Sequence, residues 1–412
     1  MFGGQRAAEA QTIAAANDPT EQGATLDKLR QTRDALSAVT EYKAALHPAE
    51  EIVAELEGRR DADLANDLLH LATIQADLDD YDAAEVSYLR AIKLLEDQKG
   101  QYSPALIAPY HALGRAYNDA GRFDDALVAL KQAQWLSKRN LGLYNTEQSA
   151  LIDDMTTAYV QSGRMDDADG LQQGRLENAI RQFGAGAPEL VPFYVHLADY
   201  YEGSGLLAYA RDELKNGLEI SKAHFGDASR ESLELLGRLT SVELKLTHRK
   251  YARDELLAAL RKATDDVDPA TRGKSWAVLG DWAVVNGDQA SASDYYSKAY
   301  DALRHSGDAG ADADAFFSKP AMIDFDPPDD FYEPQGLRQW TWGTLEFVFD
   351  VSATGQASDV RVVSPNADDE RIEDDYGHRI LATHFRPKLE KGRPVASSDV
   401  SETYKVRKYV KD

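Results

Sequence analysis

Apolar and small residues recur through the first three quarters of the chain at i, i+3, i+4 and i+7, the spacing that gathers them on one helix face. Such stretches come in pairs separated by a short break. In the first clear pair Leu68, Leu71 and Ala72 lie on a helix A, a break follows at Asp79-Asp80, and Tyr81, Ala84, Tyr88 and Ala91 lie on a helix B. The next pair carries Leu113, Gly114, Tyr117, Gly121, Phe123 and Ala126. Four more follow, around Met155 and Ala168, Leu197 and Ala210, Leu239 and Leu256, and Leu279 and Tyr296. A degenerate leading pair spans 26–56, where Pro48 is expected to kink or shorten the second helix.

The pairs keep register. Gly100, Gly142, Gly184 and Gly226 are 42 residues apart, and Asp79, Gly121, Gly163 and Gly205 precede them by 21. A fixed period of this length marks stacked helical hairpins, none of which can cover its apolar face alone. The eighth position of helix A is small (Ala72, Gly114, Ala198, Gly280), which lets the two helices of a hairpin approach closely. The glycine of each break supplies a positive-φ exit from helix A. Residues 1–25 read as an N-terminal extension with a frayed or short helix and a turn signal at Asn17-Asp18-Pro19.

After Leu303 the pattern stops. Residues 304–335 carry eight acidic side chains and four prolines, and read as a partly extended, mobile linker. Its Phe316, Phe317, Phe325, Phe331 and Tyr332 are too apolar for a plain tether, so parts are expected to dock. From Trp340 the period becomes two: Leu345, Phe347 and Phe349 alternate with Glu346, Val348 and Asp350, as in a half-buried strand. A turn at Ala353-Thr354-Gly355-Gln356 returns the chain over 357–363. A helix over 368–384, a turn at Lys391-Gly392-Arg393-Pro394 and a last strand over 402–410 complete the C-terminal part.

Two resemblances rest on these residues. Trp276-x-x-Leu279-Gly280 with Gly287, Ala292, Tyr296 and Ala299, and Leu113-Gly114-x-x-Tyr117 with Gly121, Phe123 and Ala126, resemble the tetratricopeptide repeat family. The 42-residue spacing is similar to the long-helix variety of kinesin light chains. It departs at Arg175, where a small residue is usual, and at Thr247, where the turn glycine is usual. Gly343-x-Leu345-x-Phe347-x-Phe349, Gly355 with Asp359-Val360-x-Val362-Val363, and Phe385-Arg386-Pro387 with Gly392-Arg393-Pro394-Val395 resemble the TonB C-terminal domain. Together they imply a mainly α protein: an α-solenoid of six to seven hairpins over 26–303, then a small β-β-α-β domain over 336–412.

Composition narrows the function. A formal charge of -24 and a pI of about 4.8 argue against nucleic acid and anionic membranes, which need a net basic face. No run reaches the ~18 apolar residues of a membrane span. Without cysteine there is no disulfide framework and no thiol chemistry. The first residues show no basic segment followed by an apolar one. The expected compartment is periplasmic if a signal peptide was removed, and otherwise cytoplasmic.

No catalytic, cofactor or metal constellation is expected. His70, His111 and His196 fall on separate hairpins, and Asp368-Asp369-Glu370 with Glu373-Asp374-Asp375 lacks the ligand spacing and glycine of a calcium loop. The acidic run reads instead as a dipole-favoured helix start. What remains is binding surface. The tetratricopeptide resemblance places helix A positions two, five, nine and twelve on an inner groove. These are Asn66, Thr73, His111, Arg115, Asn118, Asp153, Thr157, Asp199, Glu202, Glu234, Lys274 and Asp281. The groove leans acidic towards its C-terminal half and suits a basic or extended peptide; for any one residue, plain solvated surface is the competing reading. Leu69 and Thr73 stand where that family's carboxylate clamp needs Lys and Asn, which excludes the clamp.

The TonB resemblance implies a strand-pairing edge at Tyr404, Lys405, Val406, Arg407, Lys408 and Tyr409, with envelope or TonB-system proteins as partners. Its cations, with Lys411, either protect the edge from aggregation or attract acidic peptides. The expected function is a non-enzymatic protein–protein adaptor. The alternative is a structural role in which the C-terminal domain packs on the solenoid or forms a homodimer.

Overall fold

The computed structural model describes residues 19–57, 63–142, 148–247, 251–306, 311–326, 340–364 and 370–409. The chain divides into two compact units between Gln182 and Phe183. The first contains α1 (Pro19–Ala38), α2 (Tyr42–Glu57), α3 (Leu64–Asp77), α4 (Tyr81–Lys99), α5 (Ile107–Asp119), α6 (Phe123–Leu141), α7 (Gln148–Gln161) and most of α8 (Met165–Phe183). Each of α1 to α6 packs on the helix that follows it. The second unit holds three further hairpins: α9 (Val191–Gly203) with α10 (Leu207–Phe225), α11 (Arg230–Thr247) with α12 (Tyr251–Lys262), and α13 (Pro269–Val285) with α14 (Gln289–Leu303). Among the described residues no helix is long and apolar enough to cross a membrane.

The breaks share one geometry. Gly121, Gly163 and Gly205 take φ of 72°, 76° and 73°. The following amide then reaches back into the last helical turn, Arg122 N to Tyr117 O at 2.8 Å and Leu206 N to Tyr201 O at 2.8 Å. This is the glycine-terminated stop of an α-helix. Asp79 does the same work at φ 62° without being glycine, and Asp80 N reaches Gln75 O at 2.9 Å.

The small eighth position is required by space. A Cβ on Gly114 would stand 2.5 Å from Leu130 Cγ, and one on Gly280 would stand 2.3 Å from the Tyr296 ring. Ala72 and Ala198, at the same position, are fully buried.

The structure alters or sharpens several of these expectations. Pro19, read as part of a turn, opens a helix, so α1 crosses the expected boundary at residue 25. Proline is tolerated in a first turn because the amide it lacks would have no intrahelical partner there. Pro48 neither ends nor shortens α2, which continues to Glu57. Ala45, Ala49, Ile52 and Leu56 are buried without exposure along that helix, and this packing outweighs one missing hydrogen bond. Parts of the stretch 304–335 dock, as its aromatic residues lead one to expect, and it contributes α15 (Ala311–Phe316) and β1 (Ala321–Met322). Phe317 is buried against Tyr296 and Tyr300, and Phe325 packs near Tyr376 and Tyr404; Phe331 and Tyr332 lie outside the described residues. The C-terminal helix ends at Ala382, before the expected 384, while the last strand begins at Ser397, earlier than 402.

The C-terminal part contains β2 (Trp340–Val351), β3 (Ala357–Ser364), α16 (Glu370–Ala382), β4 (Phe385–Arg386), β5 (Lys388–Glu390), β6 (Arg393–Val395) and β7 (Ser397–Tyr409). Its sheet runs β3-β2-β7, antiparallel throughout, while β1 pairs with β4 and β5 with β6. Alternation along β2 sends Leu345, Phe347, Phe349 and Val351 inward onto Tyr376, Ile380, Phe385 and Val406. Lys391 and Gly392 turn the β5–β6 hairpin with both φ positive, 52° and 77°, matching the twist of its strands.

This domain rests on the last hairpin. Leu389 N donates to Phe317 O at 3.1 Å, and Gln289 Nε2 donates to Thr354 O at 3.3 Å. A Cβ on Gly355 would meet Phe385 O at 2.1 Å and Val284 Cγ1 at 3.0 Å, so backbone and hairpin are in direct contact there.

In the first unit Asp67 ties α1 to α3. Its carboxylate accepts Arg33 Nη1 at 2.5 Å and Arg30 Nη2 at 2.6 Å, with Arg33 and Asp67 both nearly inaccessible. Burial alone pushes the Asp67 carboxyl up, but the two guanidinium groups prevail and hold it below the usual carboxylate range.

Two stability measurements follow. A Gly280→Ala chain should denature more readily, because overpacking against a buried ring costs about 1–3 kcal/mol and exceeds the ~1 kcal/mol gain in helix propensity. Gly174→Ala on α8, with nothing within 4 Å of the added methyl, should instead gain about 0.5–1 kcal/mol. A folded pKa below the unfolded one gives stability that is present above the unfolded value, ~3.9, and lost as pH falls through the folded value. Denaturation at neutral pH should find Asp67→Asn weaker by about 3–5 kcal/mol, as for a buried pair robbed of one partner. An acid titration should show that variant losing less than wild type below pH ~4.

Candidate functional site

The twelve groove candidates fall in both units, and each unit is taken by itself. In the first, Asn66, Thr73, Arg115 and Thr157 are exposed on α3, α5 and α7. Thr73 donates to Leu69 O at 2.9 Å and lies 3.1 Å from the Tyr88 hydroxyl; Thr157 donates to Asp153 O at 3.1 Å. His111 and Asn118 converge on one residue that sequence reasoning passed over. His111 Nε2 stands 2.5 Å from Asp154 Oδ2, and Asn118 Nδ2 donates to Asp154 O at 2.9 Å. Arg115 lies near Asp77 and Asp119, whose carboxyls burial lifts above the ordinary range despite that positive charge.

Asp153 is engaged from α8. Arg175 Nη1 donates to it at 2.9 Å, so the residue that departs from the repeat pattern forms an ion pair across its own hairpin.

In the second unit α9, α11 and α13 enclose a cavity of about 440 Å³. Glu202, Glu234 and Lys274, all expected, line it together with Arg230, Arg238, Asp268 and Thr271, which were not. Arg238 donates to Glu202 at 2.8 Å and also pairs with Asp199. Arg230 Nε donates to Glu234 at 2.9 Å and lies 3.7 Å from Asp268, while Thr271 donates to Glu234 at 3.2 Å. Burial pulls the Arg238 guanidinium down, yet its two carboxylates raise it above its ordinary value. Asp268 caps α13 by accepting Thr271 N at 2.9 Å. Although burial pushes its carboxyl up, that bond and the nearby Arg230 hold it below the usual range.

The carboxylates of this lining are thus already paired within the unit. Asp199, Glu202 and Glu234 already hold arginines from the next helix A or their own. Lys274 is exposed and, among the described residues, has no carboxylate partner. Arg238 stands at position six of helix A, as Asp154 does two hairpins earlier. Taking position six into the groove face would have found both.

Asp281 is a correction. It stands at position nine but is only 7% exposed, because the C-terminal domain covers it. Arg386 Nε donates to Asp281 Oδ1 at 2.9 Å, Arg386 Nη2 donates to Oδ2, and the Tyr296 hydroxyl donates to Oδ1 at 2.9 Å. The guanidinium carbon lies 4.7 Å from the centre of the Phe316 ring.

On the C-terminal sheet β7 is an outer strand, paired with β2 from Trp340↔Tyr409 to Val351↔Ser397. Tyr404 and Val406 face the core. Val406 is fully buried, and Tyr404 packs on Phe325, Phe347 and Tyr376, where burial raises its phenol above the ordinary value. Lys405 is exposed. Arg407, Lys408 and Tyr409 pair through their backbones with Trp342, Thr341 and Trp340. Among the described residues, no three His, Asp or Glu side chains gather as a metal site would require.

Comparison with known proteins bears on the repeats. The family described as tetratricopeptide repeat matches residues 63–134, which span α3 to α6. No curated protein matches the chain. Among solved structures, the putative kinesin light chain nearly identical TPR-like repeats of Podosopora anserina share 17% identity over 51% of this chain and 99% of theirs, with a TM-score of 0.42. BtubC (BKLC) from P. vanneervenii shares 17% over 66% of this chain and 90% of its own, at 0.29. The C-terminal part of a TPR repeat-containing protein from Cytophaga hutchinsonii shares 14% over 69% and 98%, at 0.39. Tetratricopeptide repeats are what the matched segment and its recurring hairpin geometry support.

Proposed function

We propose that this chain is a non-enzymatic protein-interaction adaptor. The observation that carries the reading is the 440 Å³ groove between α9, α11 and α13, open to solvent and lined by paired charges with Lys274 left over. An extended segment of a partner fits such a lining, since each internal ion pair can exchange for one with the ligand and Lys274 has no carboxylate partner among the described residues. β7 is the second contact. Its outer edge offers backbone groups to an incoming strand, and the resemblance of 336–412 to the TonB C-terminal domain makes an envelope or TonB-system protein the partner of choice. The same resemblance supports a periplasmic location.

A structural reading is favoured by one specific observation, the seating of the C-terminal domain on α13 and α14 through Gln289, Arg386 and the contact of Gly355 with Val284. The two readings coexist if the seated domain still presents β7. In its purely structural form this reading uses β7 for a homodimer.

Hydrogen exchange on the full chain, with arrays of extended peptides from envelope proteins, separates them. Ligands should protect α11 and α13 or β7, and Lys274→Glu should weaken the groove ligands roughly fivefold, as expected for about 1 kcal/mol at a rim charge. Absence of protection at either place, with a concentration-dependent dimer protected along β7, would leave only the structural role. Fractionation of cells carrying the natural coding region tests the compartment, and a cytoplasmic signal would remove the envelope partners.

A further inference from the structure

The Arg386 contact has the parts of a binding site. A fork-shaped donor meets a carboxylate through two nitrogens, the carboxylate is oriented by a tyrosine hydroxyl, and an aromatic face lies beside the guanidinium. This combination discriminates arginine from lysine, because only a planar guanidinium satisfies the two oxygens and stacks on a ring together. Two of its three parts, Asp281 and Tyr296, are held by the repeat hairpin. Gly280 lets Tyr296 lie against α13, Tyr296 is 1% exposed, and its hydroxyl is thereby aimed at Asp281. Phe316 comes from α15, and its neighbour Phe317 is anchored on Tyr296 and Tyr300. The arginine itself arrives on a short strand, Phe385–Arg386, paired to Ala321–Met322.

We propose that the last hairpin and α15 together carry a guanidinium-recognition site formed by Asp281, Tyr296 and Phe316, and that the C-terminal domain fills it in cis with Arg386. The ligand class is an arginine on an extended segment. While Arg386 is seated, this end of the helix A face is closed to arginine-bearing segments from elsewhere. The inference is independent of the groove between α9, α11 and α13, which lies on other residues.

Full-length Arg386→Ala tests it by chemical rescue. Its melting temperature should fall, and amide exchange in α15, β1 and β4 should rise. Methylguanidinium at millimolar concentration should restore part of both losses. Methylammonium should not, and Asp281→Asn combined with Arg386→Ala should answer to neither. A peptide copying residues 383–389 should bind Arg386→Ala but not wild type. Should Arg386→Ala fail to fold, Arg386→Lys retains the charge and the stem; exchange in β4 should still rise several-fold. Equal rescue by methylammonium, wild-type protection in Arg386→Lys, or equal peptide binding to wild type would each overturn the proposal. So would a loss in Arg386→Ala that methylguanidinium leaves untouched.

Discussion

The close approach of helices A and B at the eighth position is the constraint on which the rest depends. Where that position is glycine, as at Gly114 and Gly280, a bulky side chain from helix B occupies the space a Cβ would need. Protein interiors pack to near-crystalline density, so the bulky residue is held in one place. In the last hairpin the consequence runs outward by contact. Gly280 admits the Tyr296 ring, Tyr296 orients Asp281, and Asp281 receives Arg386 from a domain more than a hundred residues later. A missing methyl group thus sets the geometry of an ion pair between two parts of the second unit.

Charges are managed differently from apolar groups. The chain is strongly acidic, yet the described groove carboxylates are bound by arginines of the same unit. Exposed pairs of this kind contribute little to stability. Their effect is on recognition, since a ligand must offer something better than the partner already in place. The buried pairs Arg33–Asp67 and Arg386–Asp281 serve specificity more than stability, because desolvation offsets much of their attraction. Each joins elements distant in sequence.

Much of the architecture was legible. Helical spacing located the hairpins, and the 42-residue period located the positive-φ breaks at Gly121, Gly163 and Gly205; alternation at Leu345, Phe347 and Phe349 located the central strand. These features are periodic, and periodicity survives in a one-dimensional string. The start of α1 at Pro19 and the continuation of α2 through Pro48 were not legible, because local residue preference yields to packing of the buried face. For the groove, helix A positions could be assigned from the repeat, but the partners of Asp153, Asp199 and Asp281 could not. Arg175 lies on the following helix, Arg238 on the next helix A, and Arg386 on another fold altogether.

The sequence by itself determined the helical hairpins, their turns, the change of period after Leu303 and the strand that follows. All of these depend on neighbours within one or two turns, or on a repeat of fixed length. The tertiary structure alone decided that the acidic stretch after Leu303 contributes α15 and β1, and that Asp281 is buried. It also decided that Arg238 and Arg230 neutralise the groove carboxylates while Lys274 stays open. The physical reason is one of range. A helix is written in spacings of three and four, whereas a charge takes the nearest opposite charge in space, and that neighbour is chosen by packing.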